Sequence, residues 1–314
     1  MQRSILVPID GSSLSETALP VAIAIARQQG DTSVEAVTVA VPAAYRFGGS
    51  GAPTIDTSLD HDLRAELRSE VAQLGVRLAT MAPDLTTHAT LLDGPIAESI
   101  ATFAEHGQHQ FVVMTTHGRS GVSRLWLGSV ADRLMRICRV PILLLKEGGG
   151  QALATDPPLF REILIPMDVE TRSDEVVADV LALAGHAARL HLLHVVVPQR
   201  HMPPPTLDLL GEGRGIPDAG RDLLALSRDS AEQHLAALAE RLAGRGLQVT
   251  TQVRSHHSPA QAILDAAADR HVSLIGMASH GRGPVGRVLL GSVTDKVIRG
   301  ASVPVLVRAS PSKD

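Results

Sequence analysis

Phe111-Val112-Val113-Met114-Thr115-Thr116-His117-Gly118-Arg119-Ser120-Gly121-Val122-Ser123-Arg124-Leu125-Trp126-Leu127-Gly128-Ser129-Val130 is rewritten, with few changes of character, as Leu274-Ile275-Gly276-Met277-Ala278-Ser279-His280-Gly281-Arg282-Gly283-Pro284-Val285-Gly286-Arg287-Val288-Leu289-Leu290-Gly291-Ser292-Val293. In each copy an apolar run of strand length leads into a glycine-bearing loop, and an amphipathic segment begins at Gly-Ser. That order reads strand, loop, helix. A helix that opens at Gly-Ser presents backbone N–H groups without intrahelical partners and the positive end of its dipole. The missing side chain lets an anion approach the backbone closely. Phosphate is the natural guest. Glycines between a strand and a helix are often turn residues and no more. Two features argue for a site: nine residues separate the loop glycine (Gly118, Gly281) from the Gly-Ser pair in both copies, and both keep an interior arginine, Arg124 and Arg287. Common ancestry of two halves would also preserve spacing, so the repetition supports a site without establishing one.

A chain of 314 residues is long for one domain and comfortable for two, each able to bury its own core. Apolar residues make up 44% and charged residues 20%, with a net charge of −4, which places the chain among globular proteins and argues against nucleic acid as a partner. Cys138, the one cysteine, excludes an internal disulfide framework and reads as a small buried residue in a helix. The first apolar run is too short for a signal-peptide core, and no stretch has the uninterrupted apolar length of a membrane helix. A cytoplasmic location and no membrane partner are expected.

The first half reads as Ser4–Ile9 strand, Leu14–Arg27 helix, Val34–Val41 strand, Leu59–Met81 helix, Thr86–Leu92 strand and Pro95–Glu105 helix. Gln110–Thr115 strand, Ser129–Cys138 helix and Pro141–Lys146 strand complete it. The pattern then restarts with Glu162–Met167 strand, Glu175–Leu190 helix, His191–Val197 strand, Arg221–Leu242 helix and Leu247–Arg254 strand. Pro259–Arg270 helix, Val272–Met277 strand, Ser292–Arg299 helix and Val303–Val307 strand follow. Between the halves, a Gly-rich and then Pro-rich stretch has the composition of a connector. The expected organisation is a first domain over 1–147, a linker over 148–159 and a second domain over 160–310. The fold class is α/β, two tandem five-stranded parallel-sheet domains with helices on both faces. In such sheets ligands sit beyond the carboxyl ends of the strands, where Asp10, Asp168 and both glycine loops fall. The halves are offset by 163 residues at Gly118/Gly281 and Gly128/Gly291 and by 158 at Asp10/Asp168, a loop-length difference.

The words Pro8-Ile9-Asp10-Gly11-Ser12, then Met114-Thr115-Thr116-His117-Gly118, nine residues and Gly128-Ser129 resemble the universal stress protein family. The second half matches through Pro166-Met167-Asp168, then Met277-Ala278-Ser279-His280-Gly281, nine residues and Gly291-Ser292, so the resemblance points to the tandem-domain type. It implies a Rossmann-like domain of the adenine-nucleotide alpha-hydrolase kind, of which one subclass binds ATP. In binding members the pattern runs Gly, two residues, Gly, nine residues, Gly and Ser or Thr. The last pair lies at the triphosphate, and an early aspartate lies near the adenosine end. Carried over, the resemblance implies contacts at Gly118, Gly128, Ser129 and Val130, and at Gly281, Gly291, Ser292 and Val293. Asp10 with Pro8 and Asp168 with Pro166 take the aspartate position, and Val39 and Val195 offer backbone near adenine. Met114-Thr115 and Met277-Ala278 enter the loops, with Thr115 and Ala278 where binding members have their first glycine. If that glycine serves a positive φ, Ala and especially Thr are strained there by about 1 kcal/mol or more. If it serves closeness alone, Ala278 costs little.

Arg119, Arg124, Arg282 and Arg287 could neutralise phosphate, although solvation or pairing with a carboxylate explains any one of them as well. His186, His191 and His194, or His256 and His257, lack metal-ligand spacing, so no metal site is expected. His117 and His280 flank the loops, where turn capping competes with ligand contact. No Walker-type loop, nucleophile elbow or dinucleotide fingerprint is present, and Asp10 and Asp168 are single carboxylates at separate sites, so no catalytic residue is assigned. The expectation is an adenine-nucleotide-binding stress-response regulator that uses ATP, alone or with Mg2+. A nucleotide-independent scaffold of the same fold is the alternative, and a slow ATPase ranks behind both. The last strands of the two halves are apolar edges that can cover one another. An intrachain pseudo-dimer with separate mouths is therefore expected, with a homodimer and a protein partner left open.

Overall fold

The computed structural model describes residues 3–41, 57–116, 127–146, 159–168, 174–198, 219–279 and 290–309. Short apolar runs become strands buried on both faces because helices cover both sides of a parallel sheet. In the first half β1 (Arg3–Pro8) lies between β2 (Thr32–Ala40) and β4 (Phe111–Thr115). β3 (Thr87–Asp93) is outside β2, and β5 (Ile142–Leu145) is outside β4. The second half repeats this with β6 (Glu162–Pro166) between β7 (Arg189–Val196) and β9 (Leu274–Ser279), flanked by β8 (Gln248–Ser255) and β10 (Val305–Ala309). Ile5 pairs with both Val34 and Phe111, as Ile163 pairs with both Leu190 and Leu274, so the strand order reverses beside β1 and β6.

The halves join into one ten-stranded sheet, β3-β2-β1-β4-β5-β10-β9-β6-β7-β8. At the seam β5 and β10 run antiparallel, with Leu144 opposite Val305, Leu143 opposite Leu306 and Ile142 opposite Val307. The two apolar edges cover each other, as their sequences lead one to expect. Alternation sends Leu143 and Leu306 into one core layer and Ile142, Leu144, Val305 and Val307 into the other, so each layer crosses the seam. Burying a side chain of this size stabilises the fold by roughly 1.5–3 kcal/mol. Polar contacts reinforce the join: Gln28 Nε2 donates to Ala184 O at 3.0 Å, Gln28 Oε1 accepts from Leu159 N at 3.1 Å, and Gln29 Nε2 donates to Ala182 O at 2.6 Å.

The helices on one face are α1 (Ser13–Glu16), α2 (Ala18–Gln29), α3 (Thr57–Met81), α6 (Asp174–Ala184) and α7 (Ala219–Ala243). On the other are α4 (Ile96–His106), α5 (Ser129–Ile137), α8 (Pro259–Asp269) and α9 (Ser292–Gly300). Two helix expectations are corrected. The single helix read over Leu14–Arg27 is broken at Thr17, because Pro20 has no N–H to give the carbonyl of Glu16. The helix read over Glu175–Leu190 stops at Ala184, where Gly185 takes φ +80° and donates its N–H to Leu181 O at 2.9 Å. β7 then begins at Arg189. Apolar spacing continues through Gly185 into the strand, which is why periodicity alone overran the stop.

Candidate functional site

In the first half Pro8, Val39, Met114 and Thr115 lie at the carboxyl ends of the neighbouring strands β1, β2 and β4. Chain geometry fixes Asp10 there. Its Oδ1 accepts from Ser12 N at 2.9 Å and from Ser12 Oγ at 2.6 Å, and Gly11 between them takes φ +79°, a conformation that favours glycine. Ser12 Oγ in turn accepts from Ser15 N at 3.1 Å and caps α1. The carboxylate is thus oriented before any ligand arrives. Ser12, the last residue of the Pro8–Ser12 motif, thus both holds Asp10 and caps the following helix.

Just past the end of β4 in space, α5 opens at Gly128. The Gly128 N–H donates to Thr116 O at 2.9 Å, while Thr116 N donates to Leu145 O at 3.0 Å, so the end of β4 anchors both the helix start and the end of β5. No side chain caps Gly128, and Asp132 N is the first to bond back, to Gly128 O at 2.9 Å. The N–H groups of Ser129, Val130 and Ala131 therefore have no intrahelical acceptor, as helix geometry requires. The second half repeats the arrangement. α9 opens at Gly291, again without a side-chain cap, Asp295 N donates to Gly291 O at 2.9 Å, and Ser292 and Val293 start the helix. Thr294 Oγ1 donates to Ala278 O at 3.3 Å and ties that turn to the end of β9. Pro166 ends β6, Met167 N donates to Leu193 O at 2.7 Å, and His194 Nδ1 lies 2.9 Å from Met167 O, so Asp168 follows directly from an anchored strand end beside Val195.

Thr115 and Ala278 are ordinary strand residues: the non-glycine residues with positive φ among those described are Gln108 and His271. Of the two readings of the missing first glycine, the one that requires left-handed strain does not apply. Met114, Thr115 and Met277 are buried, so any ligand contact there runs through backbone. Val39, Val130, Val195 and Val293 pack on the core layer of the α5 and α9 face, which leaves their backbone as the contact they could offer. Gly118 and Gly281 lie outside the described residues, as do His117, His280, Arg119, Arg124, Arg282, Arg287 and residues 148–158 of the linker.

Charges meet at the seam between the halves. Lys146 Nζ donates to Arg299 O at 2.8 Å in the last turn of α9. Burial, and then Arg299, pull the ammonium below its usual pKa. Arg136 pairs with Asp132 and Arg299 with Asp295, each at i,i+4, and each guanidinium is raised chiefly by hydrogen bonding to its own aspartate. Each arginine also feels the aspartate of the other half. Among the described residues no group of three metal-ligating side chains is present, and no helix is long and apolar enough to cross a membrane.

Comparison with known proteins bears on the family and the fold. The model of the universal stress protein family matches residues 1–146 and again 159–308. A universal stress protein of Methanocaldococcus jannaschii is 31% identical over 150 residues, which cover 47% of this chain and 84% of that protein. One from Mycolicibacterium smegmatis is 29% identical over 205 residues, 63% of this chain and 61% of the relative. The crystal structure of a universal stress protein from Archaeoglobus fulgidus superposes with a TM-score of 0.67 at 21% identity, covering 100% of this chain and 98% of that one, and so shares the fold. With both halves matched by the family model and both built on the same strand order, the chain belongs to the universal stress protein family as a tandem two-domain member.

Proposed function

We propose that this protein binds adenine nucleotide at two mouths, one in each half, and that occupancy is its output as a stress-response regulator. The observation that carries the reading is the pair of helix starts without a side-chain cap, Gly128-Ser129 and Gly291-Ser292, each tied to the end of a strand next to the one that Asp10 or Asp168 follows. Such a start offers N–H donors and a positive dipole end to phosphate, and the aspartates offer acceptors to ribose hydroxyls. ATP is the cofactor of this reading, alone or with Mg2+. The contact residues are those of the sequence reading: Pro8, Asp10, Val39, Met114, Thr115, Gly118, Gly128, Ser129 and Val130, then Pro166, Asp168, Val195, Met277, Ala278, Gly281, Gly291, Ser292 and Val293. No residue is given a catalytic role. The test is to release bound small molecules from the purified full-length protein by acid, identify them by chromatography, and titrate the emptied protein with ATP. Up to two equivalents of nucleotide are expected, and no heat with ATP at millimolar concentration would reject the reading.

The continuous sheet favours a second reading, in which the paired halves act as a scaffold without nucleotide. A partner captured equally well by the Gly128→Asp, Gly291→Asp double variant would support it.

A further inference from the structure

Ser279, the last residue of β9, is 0% exposed, and its Oγ has no hydrogen-bond partner. A buried hydroxyl in that condition destabilises the fold until something supplies the missing bond, so it marks a place where a polar atom from outside the chain belongs. Strand alternation settles its direction. Met277 packs in the core layer with Val293 and Val297 of α9, Ala278 packs on the opposite layer, and Ser279 returns to the Met277 side. The hydroxyl therefore lies on the α9 face of the strand end, where Thr294 Oγ1 already bonds Ala278 O and where the helix starts at Gly291 with no side-chain cap. The first half differs at the equivalent place: Thr116 is buried but is not without partners. An unpaired hydroxyl and an uncapped helix start thus share one corner of the second half alone.

We propose that Ser279 Oγ donates a hydrogen bond to a phosphate oxygen held at the start of α9, so that the second mouth grips phosphate through a side chain while the first relies on backbone. A phosphate oxygen suits both neighbours, since it accepts from the hydroxyl and its charge is favoured by the helix N-terminus. The inference rests on reading the mouths as nucleotide sites, but it concerns the phosphate end only, and it makes the two mouths unequal.

The experiment uses the full-length chain with the first mouth closed by Gly128→Asp, and titrates it with ATP, tripolyphosphate and adenosine before and after Ser279→Ala. The smaller alanine fits the same space. Ser279→Ala is expected to weaken ATP and tripolyphosphate by roughly tenfold or more, to leave adenosine unchanged, and to keep or raise the ligand-free melting temperature because an unpaired hydroxyl is removed. Unchanged ATP and tripolyphosphate affinities would overturn the assignment. A lowered ligand-free melting temperature would overturn it too, since the hydroxyl would then have a standing partner such as a buried water. Tripolyphosphate binding that depends on Ser279, with no binding of adenosine, would keep the Ser279 contact and reject the adenine reading. If neither ATP nor tripolyphosphate binds the second mouth, both fail.

Discussion

Gly128→Asp and Gly291→Asp should separate stability from ligand binding in opposite directions. Gly128 has φ −58° and ψ 144°, and Gly291 has φ −60° and ψ 142°, values that any L-residue adopts and that suit a helix N-cap. Aspartate there can accept from the first-turn N–H groups, which the glycine at each cap position cannot do. Relative to glycine the better cap adds a few tenths of a kcal/mol, and the less flexible unfolded chain adds about 0.4–1 kcal/mol. Each substitution should therefore leave the ligand-free protein more stable by about 1 kcal/mol, or about 2 °C in melting temperature for a chain of this size. The same carboxylate would occupy the N–H groups that a phosphate needs and repel it. Losing two charge-assisted hydrogen bonds of about 1.5 kcal/mol each weakens ATP by about 100-fold in that half. Calorimetry should show half the stoichiometry in either single variant and none in the double. Unchanged stoichiometry and affinity in the double variant would remove the site, and a large loss of stability would show that the helix starts are not free to accept a cap.

Three other outcomes follow from particular contacts. Arg308 holds the buried Asp179 through Nε and, at 2.6 Å, through Nη2, and desolvation pushes that carboxyl up against the opposing pull of the arginine. Arg308→Met should cost about 3 kcal/mol or more in urea unfolding by stranding the acid. Adding Asp179→Val should restore most of it, because the counterpart positions Val21 and Leu145 are both apolar and fully buried in the same core layer, and no recovery would refute the account. Glu35 is held below the usual carboxylate range, first by its hydrogen bond with His109 at 3.1 Å and then by Thr90 at 2.7 Å. Its folded pKa is below its unfolded one, so its stabilisation is complete above about pH 4.3 and fades as pH falls through the lower folded value. Urea midpoints of wild type and Glu35→Gln should converge on acidification, and parallel curves would contradict this. Residues 1–150 expressed alone would expose β5 without β10, and should dimerise or aggregate in sedimentation. A stable monomer at high concentration would count against the seam as the natural cover of that edge.

Much of this architecture was legible because burial on both faces of a parallel sheet leaves continuous apolar runs such as Ile5–Val7, Phe111–Met114 and Ile142–Leu145, and glycine and proline punctuate them. The doubled motif placed α5 and α9 at their Gly-Ser starts for the same local reason: a helix needs an opening residue that tolerates extended backbone. The same local reasoning failed at Thr17 and Gly185, where the apolar spacing runs on past a missing N–H and a positive φ. Composition and spacing by themselves determined two α/β halves, strands that end just before Asp10 and Asp168, and the two helix starts at Gly128-Ser129 and Gly291-Ser292. The tertiary structure decided what depends on residues far apart in the chain. It set the antiparallel register of Leu144 on Val305, showed that Thr115 and Ala278 carry no left-handed strain, paired Asp179 with Arg308, and left Ser279 Oγ unpaired while Thr116 found partners. Periodicity records which face a side chain takes, but a hydrogen bond or ion pair depends on what another segment brings within about 3 Å, and only packing decides that.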